Sequence, residues 1–324
     1  MKKEIISFGS IVIDNVLVVK RFPSINETVL AEKYRYTYGG AGANVAVAAS
    51  RLGAKSCLFA VSGRDFERTN YKKHLEREGV DIRGVIPANC LMPRSFIISK
   101  EGSDDQVLYF YENRRETRRR LFENLERARE LASTCEVSHF STGHFEFYYK
   151  LLKGGNLNSV VSFDPGQETF NYPYRVIRII PFVNMLFMNN HEAKRLKEVM
   201  KLKSLRQIRG PKLISVSLGA QGSMILFKDK LFRIPAVKPR KLVDPTGAGD
   251  SHRAGFIVAL LKGYNVETAG KIASVVASFT IEAEGAQTSL PYWKQVVERY
   301  EEFFKEEFPS PQLTWEEMRR ELLS

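Results

Sequence analysis

The stretch Leu242-Val243-Asp244-Pro245-Thr246-Gly247-Ala248-Gly249-Asp250-Ser251-His252-Arg253-Ala254-Gly255-Phe256 concentrates the chemistry of this chain. Gly247, Ala248 and Gly249 carry almost no side chain, so their backbone amides can converge on one point at the start of a helix. Such amides, together with the positive helix end, make an anion site that larger side chains would obstruct. Asp250 follows at once. A carboxylate there makes sense if it takes a proton from an attacking hydroxyl while the amides hold a transferring phosphoryl group. Gly-x-Gly-Asp by itself also fits an ordinary glycine-rich turn with an Asp cap.

Three further clusters carry polar groups at regular spacing. Gly39-Gly40-Ala41-Gly42-Ala43-Asn44 precedes an Ala-rich helical stretch that Gly53 can end. It fails as a dinucleotide fingerprint, because Val45 stands where Gly or Ala is needed, and the chain has no Gly-x-x-x-x-Gly-Lys-Ser/Thr loop. Asn189 and Glu192 open a helix after the apolar run Met185–Met188, so both can face a ligand at a strand's carboxyl end. Ser217-Leu218-Gly219-Ala220-Gln221-Gly222 follows the apolar run Lys212–Val216 in the same way.

The elements that must position these residues read as follows. The first 112 residues give strands at Ile5–Phe8, Ile11–Ile13, Val16–Val19, Tyr34–Tyr38 and Ser56–Val61, with a helix over Asp65–Glu78 and a hairpin of Ser95–Ser99 with Gln106–Tyr111. From Leu121 onward short apolar runs alternate with helical patterns, the mark of a parallel sheet covered on both faces. Ser223–Phe227 and Lys230–Pro235 form a second hairpin, and the chain after Asp250 reads as mostly helical. The expected fold is α/β, a doubly wound and mostly parallel sheet with a small β-sheet lid. It forms a single domain over residues 1–324, with lid strands drawn from 14–40 and 90–112 and a helical C-terminal extension over 292–324.

Composition narrows the function classes. With 324 residues, 44% hydrophobic and 27% charged, the chain can bury a large core, which excludes wholesale disorder and a disulfide mini-protein. Cys57, Cys90 and Cys135 are widely spaced and odd in number, so free thiols are expected rather than a disulfide framework or a zinc site. Neither a membrane span nor an export signal is legible, so the expectation is a cytoplasmic protein with no membrane partner. The formal charge of +12 favours anionic partners, but the dense run Arg114–Arg120 reads as a solvated helix face.

Asp244–Phe256 resembles the C-terminal signature of the ribokinase-like (PfkB) carbohydrate and nucleoside kinase family. Gly39–Ala46, followed by Leu52-Gly53, resembles its N-terminal signature, and Asn189-Asn190-His191-Glu192 matches its Asn-x-x-Glu motif. Gly285-Ala286-Gln287-Thr288-Ser289-Leu290-Pro291 is similar to its closing segment, so the motifs run in family order from Ile5 to Pro291. Gly63-x-Asp65-Phe66 and Phe163-Asp164-Pro165-Gly166-Gln167 look closer to the adenosine-kinase-like and archaeal nucleoside-kinase branch. Two departures stand out: His252 replaces a frequent Phe, and Val12 replaces an Asn that contacts ribose in ribokinases.

The resemblance implies Mg²⁺- and ATP-dependent transfer of the γ-phosphoryl to a hydroxyl. Asp250 would be the base and the amides of Gly247, Ala248 and Gly249 the anion hole. Asp14, Gly39, Gly40 and Asn44 would bind the acceptor, with His144 and Gln167 as further contacts. Asn189, Ser217, Gly219, Gly222, Thr246 and Ser274 would meet the nucleotide, and Glu192 would hold water around magnesium. Asp244, Thr280, Ala283, Gly285 and Ser289 match places that hold a monovalent cation such as K⁺ in some relatives. A nucleoside is the expected acceptor; a sugar, sugar phosphate or cyclitol is the alternative. A basic nucleic-acid binder is the reading from another class, and it lacks a standard module, so no nucleic-acid partner is expected. Exposed lid edges favour a homodimer through the lid.

Overall fold

A computed structural model describes residues 3–103, 105–155 and 157–324. The strands are β1 Lys3–Phe8, β2 Val12–Val19, β3 Lys33–Gly39, β4 Ser56–Ser62, β5 Val85–Pro87, β6 Arg94–Lys100, β7 Gln106–Tyr111, β8 Cys135–Phe140, β9 Val160–Phe163, β10 Met185–Asn189, β11 Leu213–Ser217, β12 Ser223–Phe227 and β13 Lys230–Ile234. Nine of them form one sheet in the order β13-β12-β11-β10-β9-β8-β1-β4-β5. Every neighbouring pair from β5 to β11 is parallel, and β12 runs antiparallel to both of its neighbours, β11 and β13. The parallel strands are apolar on both faces because helices cover both. Ile5, Val137, Val160, Met185 and Phe187 pack on one side, under the helices Ala41–Arg51, Ala248–Leu261 and Val266–Thr280. Ile6, Phe8, Phe140, Phe163 and Leu186 pack on the other, with the helix Phe145–Lys153.

The remaining four strands form a separate sheet in the order β3-β2-β6-β7, in which β2 pairs parallel with β6 and the outer pairs are antiparallel. This is the expected lid. Its register sets Asp14, Ser95, Thr37 and Phe110 on one face, while Tyr34, Tyr36, Phe96, Tyr109 and Tyr111 share the other. At the other end of the chain, the helices Trp293–Phe304 and Trp315–Leu323 bury Val296, Tyr300, Met318 and Leu322 in the first core.

Several local expectations are corrected. The two strands expected at Ile11–Ile13 and Val16–Val19 are one, β2, which starts at Val12 and runs through Asp14 and Asn15. The helix expected over Asp65–Glu78 is confined to Tyr71–Arg77, because Asn70 takes a left-handed conformation (φ 57°) before it. The Ala-rich helix starts at Ala41 and so includes Asn44, and the helix after the Gly-rich turn starts at Ala248 and includes Asp250. The turn between β6 and β7 contains Asp104, which lies outside the described residues.

The arginine run lies on the helix Arg114–Glu123, and its charge is largely met in place. Arg119 pairs with Glu116 and Glu123, Arg120 with Glu123, Arg118 with Glu146 and Arg114 with Glu112. Cys57, Cys90 and Cys135 are free thiols. Among the described residues no helix is long and apolar enough to cross a membrane.

Candidate active site

The sites read from the sequence gather at the carboxyl ends of the parallel strands, the crest where open α/β sheets bind ligands. Gly247 caps the helix Ala248–Leu261 with φ 79°, a left-handed conformation that favours glycine. A Cβ at Gly247 would lie 2.4 Å from the Ala286 Cβ, so the absence of a side chain is also a packing requirement. The first intrahelical bond runs from Ser251 N–H to Gly247 O, which leaves the amides before it to other partners. The Ala248 amide bonds to Pro245 O at 3.3 Å, so the expected amide trio has one member already engaged.

Asp250 stands in the first turn of that helix, and its side chain keeps 17% exposure. Its Oδ2 accepts a 2.8 Å hydrogen bond from Asn44 Nδ2, and its Oδ1 lies 3.8 Å from Arg253 Nη1. Burial pushes its carboxyl up to about 6, opposed by Arg253 and the Asn44 bond and reinforced by the charges of Asp164 and Asp14. An acid with that proton affinity is ionised at neutral pH and remains a competent base.

Sequence reasoning missed Arg253 and Asp164. Arg253 Nε is 2.9 Å from Asp164 Oδ2, and both side chains are buried. The available signal was helical spacing: Arg253 is three residues after Asp250 and four after Gly249, and so shares their face. The structure bears this out, since a Cβ at Gly249 would meet Arg253 Nη1 at 2.3 Å.

Asn44 was expected to offer its amide to acceptor hydroxyls. Here its Nδ2 serves Asp250, and its Oδ1 accepts from Gln287 Nε2 at 2.8 Å, which fixes the amide orientation. Gln287 is buried and also bonds Tyr71 OH (2.7 Å) and His74 Nε2 (2.9 Å). Tyr71 OH in turn donates to Gly39 O at 2.7 Å, which ties this network to the end of lid strand β3. Gln287, Tyr71 and His74 carried no sequence signal of this role beyond the closing motif that contains Gln287.

Asp14 faces the crest from β2, and Ser95 on β6 donates its hydroxyl to Asp14 Oδ1. Burial raises its carboxyl, and Asp244 adds to the rise. A Cβ at Gly39 would lie 1.9 Å from Asp14 Oδ2, so that glycine leaves the carboxylate its place. Gly40 caps the helix that carries Asn44. His144 and Gln167 follow β8 and β9 at the same end of the sheet. His144 Nε2 is 2.8 Å from Glu112 Oε1, while Gln167 is exposed.

Asn189 and Ser217 are direct register partners at the ends of β10 and β11. Asn189 and Glu192 form a reciprocal capping box: the Glu192 carboxylate accepts from Asn189 N–H and Nδ2, each at 2.8 Å. Glu192 is buried, and burial followed by the charge of Asp164 raises its carboxyl. Gly219 is exposed, and Gly222 closes the turn by accepting the Leu218 N–H bond. Ser274 is 8% exposed, donates to Pro235 O and accepts from Val237 N–H, so its hydroxyl pins the chain after β13.

Asp244 closes its own loop by accepting from Thr246 N–H and Gly285 N–H, each at 2.9 Å. The Thr280 hydroxyl bonds Ser251 Oγ, and the Ser289 hydroxyl bonds the carbonyls of Phe279 and Thr280. Ala283 and Gly285 lie on the same segment after the helix Val266–Thr280.

Comparison with known proteins agrees with this geometry. The sequence matches the pfkB family carbohydrate kinase over residues 2–293. It is 35% identical over 304 residues to a nucleoside kinase of Methanocaldococcus jannaschii, covering 92% of this chain and 97% of that one. A nucleoside kinase of Methanothermobacter thermautotrophicus is 34% identical over 303 residues, covering 92% and 96%. The crystal structure of the M. jannaschii nucleoside kinase, an archaeal member of the ribokinase family, superimposes with a TM-score of 0.84 at 34% identity over 93% of this chain and 98% of that one. With a mostly parallel crest, a small β lid and an aspartate at a helix N-terminus, the chain belongs to the pfkB family of carbohydrate kinases and has the ribokinase fold.

Proposed function

We propose that the protein is a nucleoside kinase that moves the γ-phosphoryl of ATP to a hydroxyl of the nucleoside. The observation that carries the reading is Asp250, held by Asn44 at the amide end of the helix Ala248–Leu261. Asp250 takes the proton of the attacking hydroxyl, and the amides around Gly247 and Gly249 face the charge that builds on the transferring group. Asp14 and Gly39 hold the acceptor from the lid side, while Asn189, Ser217, Gly219 and Thr246 border the nucleotide.

Magnesium fits the residues present through water rather than a direct cage: among the described residues no three His, Cys, Asp or Glu side chains are placed to ligate a metal, Glu192 would hold water around the ion, and hydrated Mg²⁺ is held chiefly through phosphates and water. Once bound it would neutralise charge on the β- and γ-phosphates. The side chains of Asp244, Thr280 and Ser289 are already bonded within the protein, so a monovalent cation would rely on carbonyl oxygens and spare lone pairs there.

The nucleoside preference is supported by the two archaeal relatives and by Val12. This residue is 4% exposed and pairs in register with Gly39, where it offers no polar contact to ribose. A panel of nucleosides, sugars, sugar phosphates and inositols, read by ADP release, should give the highest kcat/KM with a nucleoside. A higher value for ribose or a sugar phosphate would overturn the assignment and favour the alternative.

The lid also supports pairing of two copies. Tyr34, Tyr36, Phe96, Tyr109 and Tyr111 are exposed on the face opposite Asp14, and β3 and β7 leave two free edges. Sedimentation at micromolar concentration should show a dimer that Tyr36→Glu with Tyr109→Glu dissociates. A wild-type monomer would refute it.

A further inference from the structure

The charges around Asp250 exceed what a helix cap needs. Arg253 is buried on the same helix and lies between two carboxylates, with Nε 2.9 Å from Asp164 Oδ2 and Nη1 3.8 Å from Asp250 Oδ1. Asp164 holds the closer contact. On the other side of Asp250, Asn44 donates to Oδ2 at 2.8 Å and is itself locked by Gln287. Gly249 makes the room, since any side chain there would meet the Arg253 guanidinium. A cation placed at the positive end of a helix is unfavourable by itself, which makes a placement maintained by a buried anchor informative.

We propose that Arg253, anchored by Asp164, is a positioning residue that keeps the Asp250 carboxylate ionised and fixed against Asn44, with Asp164 setting the stand-off distance. The proposal rests on the reading of Asp250 as the base. A contact ion pair would make Asp250 a poor proton acceptor, since an opposite charge at close range lowers a carboxyl by ~1–3 units. Without any cation, burial and neighbouring carboxylates would leave it protonated near neutral pH. Standing off at 3.8 Å, with Asp164 taking the shorter contact, places it between these limits.

The groups that face this pair come from several elements. Asn44 lies on the helix Ala41–Arg51, Asp14 on lid strand β2, Asp164 just after β9 and Glu192 on the helix Asn190–Val199. His139 on β8 and His252 beside Arg253 are held down by burial and by Arg253, to about 3 and about 4, so both are neutral in the working range. Neither competes with Asp250 there.

The test is a ¹³C-carboxyl NMR titration of Asp250, its resonance assigned by its loss in Asp250→Asn, alongside the pH profile of kcat/KM. Arg253→Gln should raise the Asp250 midpoint by about 1–2 units and move the acid limb of the profile by the same amount, with turnover recovering at high pH. Arg253→Lys should lie nearer wild type, and Asp164→Asn should lower the midpoint. These two variants carry the test if Arg253→Gln fails to fold. An Asp250 midpoint unmoved by Arg253→Gln overturns the proposal, as does a turnover loss equal at every pH, the mark of a phosphate ligand or a scaffold residue. If the midpoint moves as stated but Asp250→Asn retains turnover, the assignment of the base fails while the electrostatic coupling stands.

Discussion

Asp250→Asn is expected to lower turnover by about 10²–10⁴-fold while leaving the fold and nucleotide binding in place. The asparagine keeps the size of the side chain and an oxygen for the Asn44 donor, but it cannot take a proton. Wild-type kcat/KM should fall as pH drops through about 6, because Asp250 is protonated below that value and inactive as a base. Stability should move the other way. A carboxyl raised by burial binds its proton more tightly in the folded chain than in the unfolded one, so ionising it costs stability as pH rises from about 4 towards 6 and beyond. Asp250→Asn should therefore be more stable than wild type at pH 7.5, by about 1–3 kcal/mol. Thermal denaturation and steady-state rates at pH 5–9 decide the matter. A variant that retains more than about a tenth of wild-type turnover removes the base assignment.

Where the sequence was legible, physics left few alternatives. The strands β8 to β11 are short runs rich in apolar residues and buried on both faces, and such runs are visible in the sequence. Strand β2 was split in the sequence reading because Asp14 and Asn15 interrupt its apolar pattern. Asp14 takes the Ser95 hydroxyl, while Asn15 bonds Ser95 O and receives Tyr34 OH, so the polar pair ties β2 to both of its lid neighbours. The two glycine clusters and Asp250 stood out by local spacing, and the resemblance of the full strings to the family's signatures separated them from ordinary turns. Arg253 and Asp164 were not, because a buried ion pair depends on two segments distant in sequence meeting across the sheet crest. The same holds for Gln287, whose three hydrogen bonds exist only after the closing segment packs on the helix that carries Asn44. The bonds of the Ser274 hydroxyl to Pro235 O and Val237 N–H are likewise set by the meeting of distant segments.

Gly247→Ala should damage the site as severely as loss of an anion-hole donor, although it adds one methyl group. The residue sits at φ 79°, a conformation that costs an L-residue ~1–2 kcal/mol. The new Cβ would also lie 2.4 Å from the Ala286 Cβ and 2.8 Å from its Cα, so backbone must move, and overpacking of this kind costs ~1–3 kcal/mol more. Ala286 is 1% exposed and precedes Gln287, which locks Asn44 against Asp250. Displacing Ala286 therefore disturbs the amides and the base together, and turnover should drop by about 10²–10³-fold, with a lower melting temperature. Gly102→Ala is the matched control. Its φ is +71°, but a Cβ there would meet nothing within 4 Å, so it should lose only about 1–2 kcal/mol of stability from backbone strain. Equal and mild losses in the two variants would show that Ala286 yields freely, and the link from the closing segment to the base would then fail. A turnover loss confined to Gly247→Ala would instead place that segment among the parts that hold Asp250 ready to accept a proton.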